Sequence, residues 1–199
     1  MIDIQQFEHA LIELLTEINE LTAEAQTAGL KIAEKLKRNE RPINKNLLSN
    51  EYLAEGSLPV VEQLEDCEAT IEALSPARKT LAQYILQMQK KLRWYQRTLE
   101  DNLAFMAGHA NAQLIGPQGL YISSEIIVGV SLIAPHITYP DHNHPPEEIY
   151  IVLSEGLWWQ QGGQWFSPGV QGYVYNPENI MHAMASTAKP LLAIWCLNI

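Results

Sequence analysis

The chain of 199 residues is 47% hydrophobic and 18% charged, with a formal net charge of −10. Such a balance suits one sizeable core, or one compact module with a helical extension, and argues against a disordered chain. The excess of acid also speaks against a nucleic-acid partner, because phosphate binding depends on clustered lysine and arginine.

The first stretch, MIDIQQFEHA, lacks the basic residues of a secretory leader, and no later run is apolar for the ~20 residues that a membrane helix needs. The sequence therefore predicts a cytoplasmic protein without a membrane partner. Residues 1–101 read as a helical region. Ile4, Phe7, Leu11, Leu14, Leu15, Ile18, Leu21 and Ala25 recur at helical intervals, predicting one long helix that stops at Gly29. A short helix over Leu30 to Lys37 follows, then looser chain through Arg41-Pro-Ile-Asn-Lys. Ser57 with Pro59 opens a third helix running to about Leu74. Ser75-Pro76 supplies an N-cap and a first-turn proline for a fourth, whose apolar stripe is Leu81, Tyr84, Ile85, Met88, Leu92 and Tyr95. These stripes read as packing surfaces that cover the rest of the chain or make a homodimer contact.

From about residue 102 the period becomes two, with β-rich runs LYIS, EIIVGVSLIA, EEIYIVL, LWWQ, QWF, GYVYN, MHAMA and LLAIWCL. Gly162-Gly163, Pro168-Gly169 and Asn176-Pro177 mark turns between them. Short antiparallel strands at this spacing predict a small barrel or jelly roll over 102–199. Cys67 and Cys196, the only two cysteines, are too few and too distant for a disulfide framework and read as buried apolar side chains. In this half Lys189 is the only lysine or arginine, so a pocket there is expected to hold an anion by metal, backbone or hydroxyl groups.

The stretch DHNHPPEEIY, residues 141–150, concentrates the chemistry. Side chains two apart in a strand share a face, so His142 pairs with His144 and Glu148 with Tyr150, while the double proline lets the two pairs converge. His182, in a later strand, can be brought alongside by a barrel. Imidazole, carboxylate and phenol together make a donor set for one divalent transition metal, with zinc, iron, manganese, nickel and cobalt all compatible. His9, His109 and His136 lack such company and read as ordinary packing.

At these residues the second half resembles a cupin. His142-Asn-His144-Pro-Pro-Glu-Glu148 matches the first motif, HxH followed by three or four residues and glutamate. Pro177-Glu-Asn179-Ile-Met-His182 matches the second, with asparagine where glycine is usual. Further departures are His136 at the leading glycine position, a longer gap from Glu148 to Gly156, and Ser186 at the usual final asparagine. The tyrosine two residues after the motif glutamate narrows the resemblance to the cupin dimethylsulfoniopropionate lyases, which set a helical region before the barrel. That resemblance implies an α+β fold, and His144, Glu148, Tyr150 and His182 as metal ligands with His142 beside them. It also implies β-elimination of dimethylsulfoniopropionate to dimethyl sulfide and acrylate.

The residues suit that reaction. A tyrosine near a dication can be a base, and Tyr150 and Tyr139 are equal candidates. Aromatic faces attract a sulfonium, with Tyr121 and Trp195 as the candidate wall and His142 as a further substrate contact. A small zwitterion with its carboxylate on metal also answers the shortage of local arginine. The competing readings are a metal-dependent dioxygenase using the same ligands and a non-enzymatic cupin binding module; the lack of basic residues disfavours phosphosugar isomerisation.

Overall fold

A computed structural model describes residues 1–19, 21–38, 41–48, 58–99 and 101–199. Asp3 caps helix α1 (Ile4–Thr16) reciprocally with Gln6. The single long helix predicted for this stretch is in fact two. Thr16 Oγ1 bonds back to the carbonyls of Ile12 and Glu13, both at 2.9 Å, at the end of α1, and Thr22 caps a new helix, α2 (Ala23–Lys37). Gly29 is therefore no stop. It lies inside α2, where a Cβ would come within 2.5 Å of the Leu15 carbonyl oxygen, so its bareness lets α1 and α2 approach closely.

A 3₁₀ turn at Lys45–Leu48 and a longer one at Pro59–Cys67 lead into α3 (Glu68–Glu72) and α4 (Pro76–Met88). The predicted cap at Ser57 falls outside the described residues. Helix α4 starts at the predicted Ser75-Pro76, but the stripe does not continue to Tyr95. Trp94–Tyr95 instead form an edge strand, β1, and α5 (Leu103–Ala107) follows.

Eight further strands complete two antiparallel sheets. They are β2 (His109–Ile115), β3 (Ile126–Ile133), β4 (Thr138–His142), β5 (Glu148–Val152), β6 (Leu157–Gln160), β7 (Tyr173–Asn176), β8 (His182–Ala185) and β9 (Leu191–Asn198). The larger sheet runs β1-β2-β3-β9-β5-β7 and the smaller β4-β8-β6. The sequence reading missed β2, and two runs read as strands are not: Tyr121 and Phe166 make only isolated bridges. The element order, helices first and then two sheets of a jelly roll, is the α+β architecture expected of a cupin.

Alternation sorts the large sheet into two faces. Ala110, Ala112, Leu114, Val128, Val130, Leu132, Ile149, Ile151, Leu192, Ile194 and Cys196 join the helices in one apolar core. Residues between them, including Tyr150, Ala193 and Trp195, turn inward with Tyr139, Trp158 and Met184 of the small sheet. Both faces are thus buried, which is why β5 has no exposed residue at all. Both cysteines are free and buried. Polar ties fasten the helices to the barrel: Tyr173 Oη donates to the Leu14 carbonyl at 3.0 Å, and Lys31 pairs with Glu147 at 3.3 Å.

The departures from the cupin pattern have a backbone explanation. His136 and Asn179, which stand where glycine is usual, adopt φ of 60° and 59°. The turns keep the left-handed conformation that glycine prefers, at the cost of modest strain in a side-chain-bearing residue. His136 and His9 are exposed rather than packed inside, whereas His109 is fully buried.

Candidate metal centre

His142 ends β4 directly opposite His182, the first residue of β8. His144 lies in the interruption that Pro145-Pro146 imposes, and Glu148 opens β5. The ligand atoms of His144, Glu148 and His182 all lie within 4.8 Å of one another. Glu148 Oε2 is 3.6 Å from His144 Nε2 and 3.3 Å from His182 Nε2. His142 stays outside this set, with its ring centroid 4.1 Å from that of His182.

Second contacts fix how each ring presents itself. The Nδ1 atoms of His142, His144 and His182 each lie 2.9 Å from a backbone carbonyl, those of Pro140, Pro146 and Ile180. A neutral ring donates there and leaves its Nε2 lone pair free, the arrangement that metal-binding histidines need. Asn176 Nδ2 donates to Glu148 Oε2 at 2.8 Å, and Gln160 Nε2 in turn holds Asn176 Oδ1 at 2.8 Å. His182 Nε2 is buried without a hydrogen-bond partner. A buried orphan of this kind, facing a carboxylate and a second imidazole, is what a divalent cation between them would satisfy, so the donor set fits a metal ion.

The electrostatics agree. Burial alone would raise Glu148, but His144 and His182 beside it hold its carboxyl down at about 2. His142 is depressed to about 4, chiefly by burial and then by His182, so it is neutral at neutral pH. For His144, burial lowers the value, yet the adjacent Glu148 carboxylate outweighs it and the ring is shifted upward.

A cavity of about 350 Å³ opens on this cluster, lined by Tyr95, Arg97, Asn111, Ser131, Tyr139, His142, His144, Glu148, Tyr150, Met184, Trp195 and Leu197. Of the residues predicted for the site, Tyr139, Tyr150, His142 and Trp195 line it with the three ligand candidates. Tyr121 does not. It packs on the core beneath the helices, where the Tyr84 hydroxyl donates to its oxygen at 3.3 Å.

The expectation of a pocket without a nearby arginine also needs correction. Arg97 comes from the segment after β1 and reaches the cavity, donating to the carbonyls of Pro140 at 3.2 Å and Asp141 at 3.4 Å. Counting basic residues along the chain overlooked it because β1 carries this part of the helical half onto the barrel. Asn111 and Ser131 were likewise missed; Ser131 Oγ donates to Asn111 Oδ1 at 2.5 Å, and Asn111 Nδ2 to Tyr139 Oη at 3.4 Å.

The two phenols differ in their surroundings. Burial raises both. Tyr150 is pushed well above its usual value, and the Glu148 charge adds to the shift. Around Tyr139 the Asn111 hydrogen bond and the Arg97 charge pull the other way and limit the rise.

Two antiparallel sheets closing on a His–Glu–His cluster, behind a helical layer, define a cupin barrel with a candidate metal site. The family model described as dimethylsulfoniopropionate lyase matches residues 32–193, and the chain belongs to that family. Dimethylsulfoniopropionate lyase DddQ of Ruegeria pomeroyi is 31% identical over 91 residues, 45% of each chain. The matched stretches span less than half the length of the curated relatives, 38% for DddL of Cereibacter sphaeroides. In fold the likeness spans nearly the whole chain. The crystal structure of Ruegeria pomeroyi DddQ aligns with a TM-score of 0.65 at 20% identity, covering 99% of this chain and 93% of the other. A chain solved with the DMSP lyases RdDddP and RnDddQII gives 0.66 at 19% identity, covering 99% and 94%. Among the described residues no helix is long and apolar enough to cross a membrane.

Proposed function

We propose that this chain cleaves dimethylsulfoniopropionate to dimethyl sulfide and acrylate. The observation that carries the reading is the sharing of one cavity by a His–Glu–His cluster and two buried phenols. His144, Glu148 and His182, with Tyr150 as a fourth group, would hold a divalent metal, which supplies a Lewis acid for the substrate carboxylate when bound.

The remaining steps fall to side chains. Tyr139 is the better base of the two phenols: the Glu148 charge opposes both anions, but only Tyr139 has Asn111 and Arg97 beside it to favour its own. Once its own proton has passed to water, the phenolate oxygen takes a proton from the carbon next to the carboxylate. The released electron pair becomes the new C=C bond, the C–S pair leaves on sulfur, and the captured proton passes to water. Dimethyl sulfide departs neutral, so no acid is needed to assist it. Trp195 offers the sulfonium an aromatic face, and neutral His142 adds no competing charge.

Purified protein given dimethylsulfoniopropionate should release dimethyl sulfide into the headspace and acrylate into solution in equal amounts, with no oxygen uptake. Oxygen consumption in place of that stoichiometry would point to a dioxygenase and overturn the reading.

A further inference from the structure

We propose that Asn111, locked by Ser131, is a positioning residue that aims the Tyr139 hydroxyl; the proposal rests on Tyr139 being the base. Neither residue belongs to a cupin motif. They face one another across the β2–β3 ladder, on the inner face of the large sheet. Asn111 is 5% and Ser131 2% exposed, and both line the cavity. Their outward-facing neighbours Ala110, Ala112, Val130 and Leu132 are all apolar. Buried polar side chains are costly unless satisfied, and these two satisfy one another.

The directions of the bonds give the pair a purpose. The Ser131 hydroxyl donates to Asn111 Oδ1 at 2.5 Å, which fixes the carboxamide and turns its NH₂ toward Tyr139 Oη at 3.4 Å. An NH₂ group only donates. Tyr139 oxygen must therefore accept on that side, and its own proton is directed elsewhere. Phe105 and His109 hold the ring edge-on, with centroids 4.9 and 5.4 Å away. His109 is itself fixed, accepting from the Arg97 backbone N–H at 2.9 Å. The ring is held by these neighbours, and its oxygen meets the Asn111 amide, with the Arg97 side chain as a second hydrogen-bonding group. The amide favours the phenolate, the form able to take the proton, and fixes where its oxygen sits, so it raises the share of enzyme poised to react without tightening substrate binding.

The test compares Asn111→Asp with Asn111→Ala and Ser131→Ala in the metal-loaded protein, reading dimethyl sulfide release, metal content and thermal midpoint. Aspartate keeps the shape and the Ser131 bond but replaces the donor with an acceptor. The expected losses in kcat are about 10²-fold for Asn111→Asp, about tenfold for Asn111→Ala and a few-fold for Ser131→Ala, at nearly constant KM. Metal content and midpoint of Asn111→Asp should stay close to wild type. A merely structural role reverses the order, making alanine worse than the isosteric aspartate and tying activity to the midpoint. That result, or wild-type kcat in Asn111→Asp, overturns the proposal alone. Absence of lyase activity in the wild type overturns the proposed function and this proposal with it.

Discussion

The two faces of the large sheet are made by alternate residues of the same strands, yet they obey different rules. Outward-facing Ala112, Val130, Ile151 and Ile194 meet the helices with apolar atoms only. Inward-facing Asn111, Ser131, Glu148, Tyr150 and Asn176 carry polar groups that are equally buried. An apolar face is satisfied by volume, whereas a buried polar face must be satisfied bond by bond. The outer face therefore supplies rigidity, and the inner face spends it on holding side chains whose isolated burial would be unfavourable.

Substitutions on the inner face should act on chemistry or metal. Tyr139→Phe is expected to lower kcat by about 10²–10⁴-fold with metal content unchanged, whereas Tyr150→Phe should mainly weaken metal retention; steady-state kinetics beside elemental analysis separates the two. Equal effects of both on kcat, with metal kept, would blur the distinction between them. Asn176→Ala removes the amide that orients Glu148, and metal affinity measured by competition with a chelator should fall about 10–100-fold.

The outer face should respond differently. Ile194→Ala opens a cavity against the helices and should lower unfolding free energy by about 2–5 kcal/mol in urea titrations. Turnover of the folded fraction should change less than about twofold, since no inward group moves. A large loss of kcat in this variant would break the division between the faces.

Acid should produce the mildest effect. His142 is depressed to about 4, and His109 is also lowered by burial, so both are neutral in the fold. The unfolded chain binds their protons first, near the ordinary histidine value of ~6.5. The His142 contribution is complete above that value and is lost as pH falls from it toward about 4, and that of His109 is lost in the same direction. His144, shifted upward, opposes this trend. The urea midpoint of the metal-stripped protein should therefore be modestly lower at pH 5 than at pH 7. An unchanged or higher midpoint would mean that His144 governs the balance.

The motif residues were legible because proline and HxH spacing constrain where His144, Glu148 and Tyr150 can point. His182 followed from the turn before it. Residues outside the motifs were harder. The segment HANAQLI is poor in β-branched residues, so β2 did not announce itself and Asn111 went unnoticed. Arg97 was assigned to the wrong half because a two-residue edge strand leaves almost no periodic signal. Tyr121 was misplaced for a related reason: aromatic composition says nothing about which side of a sheet a ring occupies. In the helices, the apolar period runs on through Ile18 and Leu21, while the break is written only in the hydroxyls of Thr16 and Thr22.

Elemental analysis of wild-type protein and His182→Ala, each equilibrated with one divalent metal and desalted, addresses the centre of this account. The wild type should retain close to one ion per chain and the variant almost none, with dimethyl sulfide release lost in parallel. Full lyase activity from a chain that retains no ion, or an undiminished ion count in His182→Ala, would contradict it.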